Sequence, residues 1–207
     1  MVIDHPIFLE SIKFIRSNLE VNDLNDLEKK VLERVVHTSG DFSVQSLIEF
    51  SEGACEKGLQ ALQNGAPILT DTDMAAAAIK AMAENTTRNK VFSAKKWFSE
   101  NNHPKLTKTA YGLSEAWKEL SLKNSGIKSP IIVIGSSPTA LTYLIDILDN
   151  AKYLPSLIIG MPVGFIGVEK SKNKLIATNL PRIVLNSTRG GAAMAAAAVN
   201  ALLRETI

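Results

Sequence analysis

Residues 35–41, Val35-Val36-His37-Thr38-Ser39-Gly40-Asp41, set one imidazole where an apolar strand or helix end gives way to small, turn-forming residues. An imidazole ionises near neutrality, so it can give or take a proton without help from a metal. Two valines ahead of it also suit a packed structural histidine, whereas Thr38, Ser39 and Gly40 suit a polar, accessible mouth. Related junctions recur at Thr70-Asp71-Thr72-Asp73, Gly135-Ser136-Ser137-Pro138-Thr139, Gly160-Met161-Pro162-Val163-Gly164 and Asn186-Ser187-Thr188-Arg189-Gly190-Gly191. Small residues at a strand exit let a ligand approach the main chain, and a helix start there offers unpaired N–H groups and partial positive charge. Several such ends at one sheet edge suit a ligand with many carboxylates or phosphates. Arg189 beside two glycines suits a carboxylate, and equally a surface arginine at a flexible turn.

Other chemistries are poorly supplied. No G-x-G-x-x-G fingerprint, G-x-x-x-x-G-K-[ST] loop or G-x-S-x-G elbow occurs. His5, His37 and His103 lack ligand spacing, and Asp71-x-Asp73 reads as a capping turn before a hard-cation site, so no metal and no cofactor are expected. With 23 basic and 21 acidic side chains, charge points neither to nucleic acid nor to a membrane surface. No stretch approaches the roughly 20 apolar residues of a membrane span. The lone Cys55 allows no internal disulfide, and residues 1–10 carry no apolar signal core, so a reducing cytoplasmic setting is expected.

At 207 residues, with 45% hydrophobic side chains, the chain reads as a single domain, 1–207. Apolar spacing predicts helices over 7–19, 24–36 and 43–63, the last capped by Asp41 or Ser43 and followed by Gly65. Strands are expected at 66–69, 89–93, 131–134, 157–159 and 182–185, with helices over 74–83, 109–122, 138–148 and 192–203. Residues 101–108 read as polar and exposed. The alanine runs 75–78 and 195–198 suit close packing between helices and sheet, and Trp97, Phe98 and Trp117 suit core or interface. Strands alternating with helices predict an α/β, doubly wound, flavodoxin-like, mainly parallel five-stranded sheet with helices on both faces. Ligands of such sheets bind outside the carboxyl ends of the strands.

These segments resemble the precorrin-8X methylmutase family, the precorrin isomerases of cobalamin biosynthesis, whose counterparts act on cobalt-precorrin-8. The resemblance runs from Ser11 to Leu202. It is carried by Val36-His37-Thr38-Ser39-Gly40, by residues 67–79 with Asp71 and Met74, and by Pro138-Thr139-Ala140-Leu141. Gly160-Met161-Pro162-Val163-Gly164-Phe165-Ile166-Gly167 and Arg189-Gly190-Gly191-Ala192-Ala193-Met194 complete it. It implies a cytoplasmic homodimer with the active site near the subunit interface and a tetrapyrrole-derived corrinoid substrate. It implies an isomerase that moves a methyl group from carbon 11 to carbon 12, giving hydrogenobyrinate or cobyrinate. The family's catalytic histidine falls on His37 and its substrate-contacting serine on Ser11; Thr38, Ser39, Asp71, Lys108, Ser136, Thr139, Arg189 and Gly190 are the further substrate-binding candidates.

The chain departs from the family pattern at four places. Ser136-Ser137 stands for the usual Asn-Ala, Lys108 for an Arg, Lys170 for a Glu, and Glu10 for an Arg. Lys108 exchanges a bidentate donor for a point charge, so the grip on particular carboxylate arms differs. Two other readings remain open: a corrinoid-binding or delivery module without turnover, and a doubly wound domain for a phosphorylated small molecule. The sequence does not distinguish a metal-free from a cobalt-containing substrate.

Overall fold

The computed structural model describes residues 5–21, 23–98 and 105–207. The chain runs α1 (Pro6–Asn18), α2 (Asp26–Ser39), β1 (Ile48–Phe50), α3 (Ala54–Gln63), β2 (Ile68–Thr70), α4 (Asp73–Glu84) and β3 (Val91–Ser93). It continues through α5 (Lys108–Lys123), β4 (Ile131–Ile134), α6 (Pro138–Leu148), β5 (Leu157–Gly160), α7 (Val168–Ile176), β6 (Arg182–Leu185) and α8 (Ala192–Arg204). His103 and positions 101–104 of the expected exposed stretch lie outside the described residues, as do residues 1–4. Among the described residues, no helix is long and apolar enough to cross a membrane.

One sheet carries the strands in the order β1-β6-β5-β4-β2-β3. Its five parallel members alone lie as β3-β2-β4-β5-β6, the 2-1-3-4-5 order of a flavodoxin-like sheet. The expected count of five is corrected to six, because β1 adds an antiparallel edge with Ile48 opposite Leu185. This strand lies inside what periodicity assigns to one helix over 43–63. That segment is instead a 3₁₀ turn (Phe42–Ser46), β1, a break at Gly53 with φ 65°, and then α3. The open edge of β6 recruits Ile48–Phe50, a tertiary demand that overrides local helical spacing.

Side-chain alternation along the buried strands splits the core in two. Ile131 and Val133 of β4 face α1, α2, α3, α4 and α8, while Ile132 and Ile134 face α5, α6 and α7. The run Ala195–Ala198 is buried throughout, which lets α8 lie close between the sheet and its helical neighbours. Helix α7 has no counterpart in the sequence reading, since Lys170, Lys172 and Lys174 mask its apolar face. It buries Val168, Ser171, Lys172 and Leu175, the i, i+3, i+4, i+7 stripe. Trp117 sits in the core, and half-buried Trp97 donates from Nε1 to Glu119 at 2.7 Å.

Candidate active site

Helix α2 opens on a capping box between Asn25 and Glu28 and closes where Gly40 takes the left-handed conformation, φ 65°. The Gly40 N–H donates to Val36 O at 2.9 Å, which ends the helix one turn after the buried valines. His37 occupies that last turn on the exposed side. It therefore stands at a helix end rather than a strand exit. The middle of α2 lies beside the C-terminal end of α8, and its own C-terminal end lies by the β6–α8 loop, at the carboxyl edge of the sheet, where Arg189 bonds Asp41 and Ser43.

A groove of about 470 Å³ opens onto the imidazole, lined by Glu10, Ser11, Phe14, Ile15, Val36, His37, Gly40 and Phe42. The walls are mostly apolar side chains, not the backbone-lined cleft that the glycine-rich junctions suggest. Ser11 donates its hydroxyl to Ile7 O at 2.9 Å, which leaves its oxygen free to accept from a ligand. The Phe8 ring meets His37 edge-on, 5.4 Å between centroids. Burial against α1 lowers the imidazole pKa from its ordinary value, and the Arg34 charge one turn earlier lowers it further. Thr38 and Ser39 do not line this groove. Thr38 is exposed, while Ser39 donates to Val36 O at 3.1 Å and accepts from Asp41 N at 3.3 Å, closing the turn.

Arg189 reaches this helix end from the β6–α8 loop. Its guanidinium binds Asp41 Oδ2 at 2.5 Å and Ser43 Oγ at 2.5 Å. Two hydrogen bonds from Ser43, and then the Arg189 charge, hold the Asp41 carboxyl below the usual range. Sequence reasoning gave Asp41 and Ser43 only capping roles, because nothing local signals a partner more than 140 positions away. Gly190 adopts φ 152° with Met161 O lying 2.1 Å from where a Cβ would sit, so it is a packing glycine.

The remaining candidates gather where strand order reverses, between β2 and β4. Asp71, which the sequence reading treats as a ligand contact, is 1% exposed beneath the β4–α6 loop. Its carboxylate accepts N–H bonds from Gly135 at 3.2 Å, Ser136 at 2.7 Å and Ser137 at 2.9 Å. Burial pushes its pKa up while these three amides pull it back. Those amides are thus consumed inside the protein. Above them Thr139 Oγ1 lies 2.9 Å from Thr107 Oγ1 and 3.1 Å from Ser137 Oγ. A cavity of about 450 Å³ adjoins this hydroxyl cluster, lined by Lys105, Thr107, Thr139, Thr142, Tyr143 and Lys170 among others. Lys108 is exposed in the first turn of α5, and Ser136 is half-buried. Thr107, whose capping bond to Ala110 N marks the start of α5, is a site residue that the sequence reading passed over. In the 161–166 segment Met161 is sealed, but Phe165 and Ile166 are more than 90% exposed.

The arrangement offers one proton-transfer group on an apolar groove and, across the same sheet edge, hydroxyls and ammonium groups suited to carboxylates. The family model described as Precorrin-8X methylmutase matches residues 6–205. The chain is 36% identical over 204 residues to a precorrin-8X methylmutase of Pseudomonas aeruginosa, covering 96% of this chain and 94% of that protein. It is 32% identical over 185 residues to a cobalt-precorrin-8 methylmutase of Methanocaldococcus jannaschii, covering 88% and 82%. A crystal structure of precorrin-8x methyl mutase from Thermus thermophilus aligns with TM-score 0.84 at 30% identity, covering 97% of this chain and 95% of that one.

Proposed function

We propose, from the premise that this chain belongs to the precorrin-8X methylmutase family, that His37 is its acid–base and the groove beside it the seat of a corrinoid. The chain is an isomerase of cobalamin biosynthesis. The reaction is the 1,5-sigmatropic shift of a methyl from carbon 11 to carbon 12 of precorrin-8X or cobalt-precorrin-8. The observation that carries the residue assignment is the accessible imidazole on an open, largely apolar groove.

An isomerisation of this kind exchanges no electrons with the protein and needs a substrate made electrophilic and held in position. The His37 imidazolium donates a proton to the conjugated ring system, the methyl migrates, and the same nitrogen recovers the proton. Burial lowers the imidazole pKa, and substrate carboxylates entering beside it oppose that shift and favour its charged form. Ser11 contacts the substrate from α1. The apolar walls of Phe14, Ile15 and Phe42 suit the flat macrocycle. Thr107, Thr139, Lys105, Lys108 and Lys170 receive carboxylate arms, and Arg189 borders the groove through Asp41 and Ser43. Asp71 and Gly190 shape the loops instead of touching substrate.

Ile7, Leu9 and Phe14 on α1 are more than half exposed, an apolar surface beside the groove that suits a second copy of the chain. A homodimer with the site near its interface, working in the cytoplasm, is the assembly this reading implies. Any cobalt travels inside the substrate.

Metal-free and cobalt-loaded precorrin-8, each mixed with purified protein and followed by absorption spectroscopy, test the reading and identify the substrate. His37→Ala is expected to bind pigment yet lose about 10²–10⁴-fold in turnover, the usual share of general acid–base catalysis. Unchanged turnover refutes the assignment.

A further inference from the structure

Helix α7 carries a lysine that the mechanism above does not use. Lys172 is completely buried. Its ammonium donates to Ser187 O and to Arg189 O, each at 2.6 Å. The intervening carbonyl of Thr188 is engaged separately, accepting from Gly164 N at 3.0 Å. Two carbonyl dipoles, of Ser187 and Arg189, thus converge on one buried point, an arrangement that repels itself unless a cation or strong donors sit between them. The loop is pinned further by Gly191 N donating to Met161 O at 2.8 Å and by the close approach of Gly190 to the same residue.

Keeping a charge there is costly. No carboxylate contacts the Lys172 ammonium among the described residues, and Glu169, the acidic group that acts on it, lies exposed one turn earlier on α7. A methionine of similar length fills such space without desolvating a cation. What the ammonium holds is the loop whose next projection is the Arg189 guanidinium, bonded to Asp41 and Ser43 just after the helix end bearing His37.

We infer that Lys172 is a positioning residue for the rearrangement: it folds the 186–191 backbone inward so that Arg189 braces the rim of the His37 groove. The inference rests on the functional reading above. Lys172 touches no substrate and acts through Arg189.

Burial lowers the Lys172 pKa to about 8, with Glu169 opposing the shift. Glu169 is the charged group that acts on this ammonium; the Arg189 guanidinium is engaged by Asp41 and Ser43, and Lys174, two positions along α7, is paired with Asp146. Raising pH through about 8 therefore discharges the clamp without altering Arg189.

The test uses full-length wild type, Lys172→Met and His37→Ala, with turnover, pigment binding and amide hydrogen exchange as readouts. Lys172→Met is expected to raise KM at least tenfold and change kcat less. Its amide exchange should accelerate within 38–43 and 186–191, while the core of β4 and β5 stays protected. Wild-type pigment affinity should weaken as pH rises from 7 to 9, and that dependence should vanish in Lys172→Met. A folded Lys172→Met with wild-type KM and pH profile overturns the inference. Should that variant fail to fold, a wild-type affinity flat from pH 7 to 9 overturns it, and a fall centred near 8 supports it. Failure of the functional reading shows separately, as a wild type that neither binds nor rearranges precorrin-8.

Discussion

Replacing Asp71 with Asn leaves the shape of the side chain unchanged and removes one acceptor and the charge. In the wild type Oδ1 receives Gly135 N–H, and Oδ2 receives those of Ser136 and Ser137. The amide group of Asn has one oxygen, so its better orientation keeps the pair at Ser136 and Ser137 and sets NH₂ against the buried Gly135 N–H. Orphaning that buried donor costs about 1–3 kcal/mol, and the two surviving bonds, no longer charge-assisted, lose about 1 kcal/mol each. Against this, the variant no longer buries a carboxylate whose pKa burial has already raised. The net is about 2–3 kcal/mol, which for a domain of this size corresponds to about 5–10 °C in Tm. Thermal and urea melts followed by circular dichroism measure it. The β4–α6 loop carries Ser136 and Thr139, so KM for the corrinoid should rise while the fall of kcat/KM with rising pH that His37 sets stays in place. An Asp71→Asn melting point within about 1 °C of wild type refutes the claim that the carboxylate holds this loop.

The imidazole and the loop glycine make sharper tests of other parts. Because His37 has a folded pKa below its ordinary 6.5, kcat/KM is expected to fall as pH rises through that lowered value, where the free enzyme loses its imidazolium. Stability moves oppositely. Just below pH 6.5 the unfolded chain binds more protons than the folded one, so stability rises with pH there and is lost as pH falls. His37→Asn should abolish both dependences, and a kcat/KM limb that survives it points to another acid. Gly190→Ala places a methyl 2.1 Å from Met161 O at a backbone with φ 152°. Strain and overpacking together predict a loss of about 2–5 kcal/mol, seen as a lower urea midpoint; a midpoint equal to that of wild type contradicts the loop geometry.

Much of the fold is legible because its strands are short, branched and uninterrupted. Ile131–Ile134 and Arg182–Leu185 coincide with their apolar runs, and Pro138 and Gly40 mark a helix start and a helix end through fixed backbone preferences. What escapes is decided at a distance. Ile48-Glu49-Phe50 reads as helix until β6 offers an unpaired edge, and α7 hides because its buried stripe includes a lysine. The site divides the same way. His37 is read from its local run and Ser11 from the family resemblance, and the two share one groove. Thr107 beside Thr139, and Asp41 beside Arg189, are contacts between segments remote in sequence, invisible to spacing.

The strand-exit loops also correct the idea that their backbone receives the ligand. Two adjoining loops have opposite main-chain polarity turned inward, and each is met by a buried charge of the complementary sign. The β4–α6 loop aims three N–H groups at Asp71, and the β6–α8 loop aims two C=O groups at the Lys172 ammonium. Backbone groups satisfied in this way offer little to a ligand, which under the proposed function leaves recognition to the side chains that the loops carry, Thr139 and Arg189 among them. Side chains vary more cheaply than a main-chain cradle. Asp71 and Lys172 lie buried beneath the loops that carry those side chains.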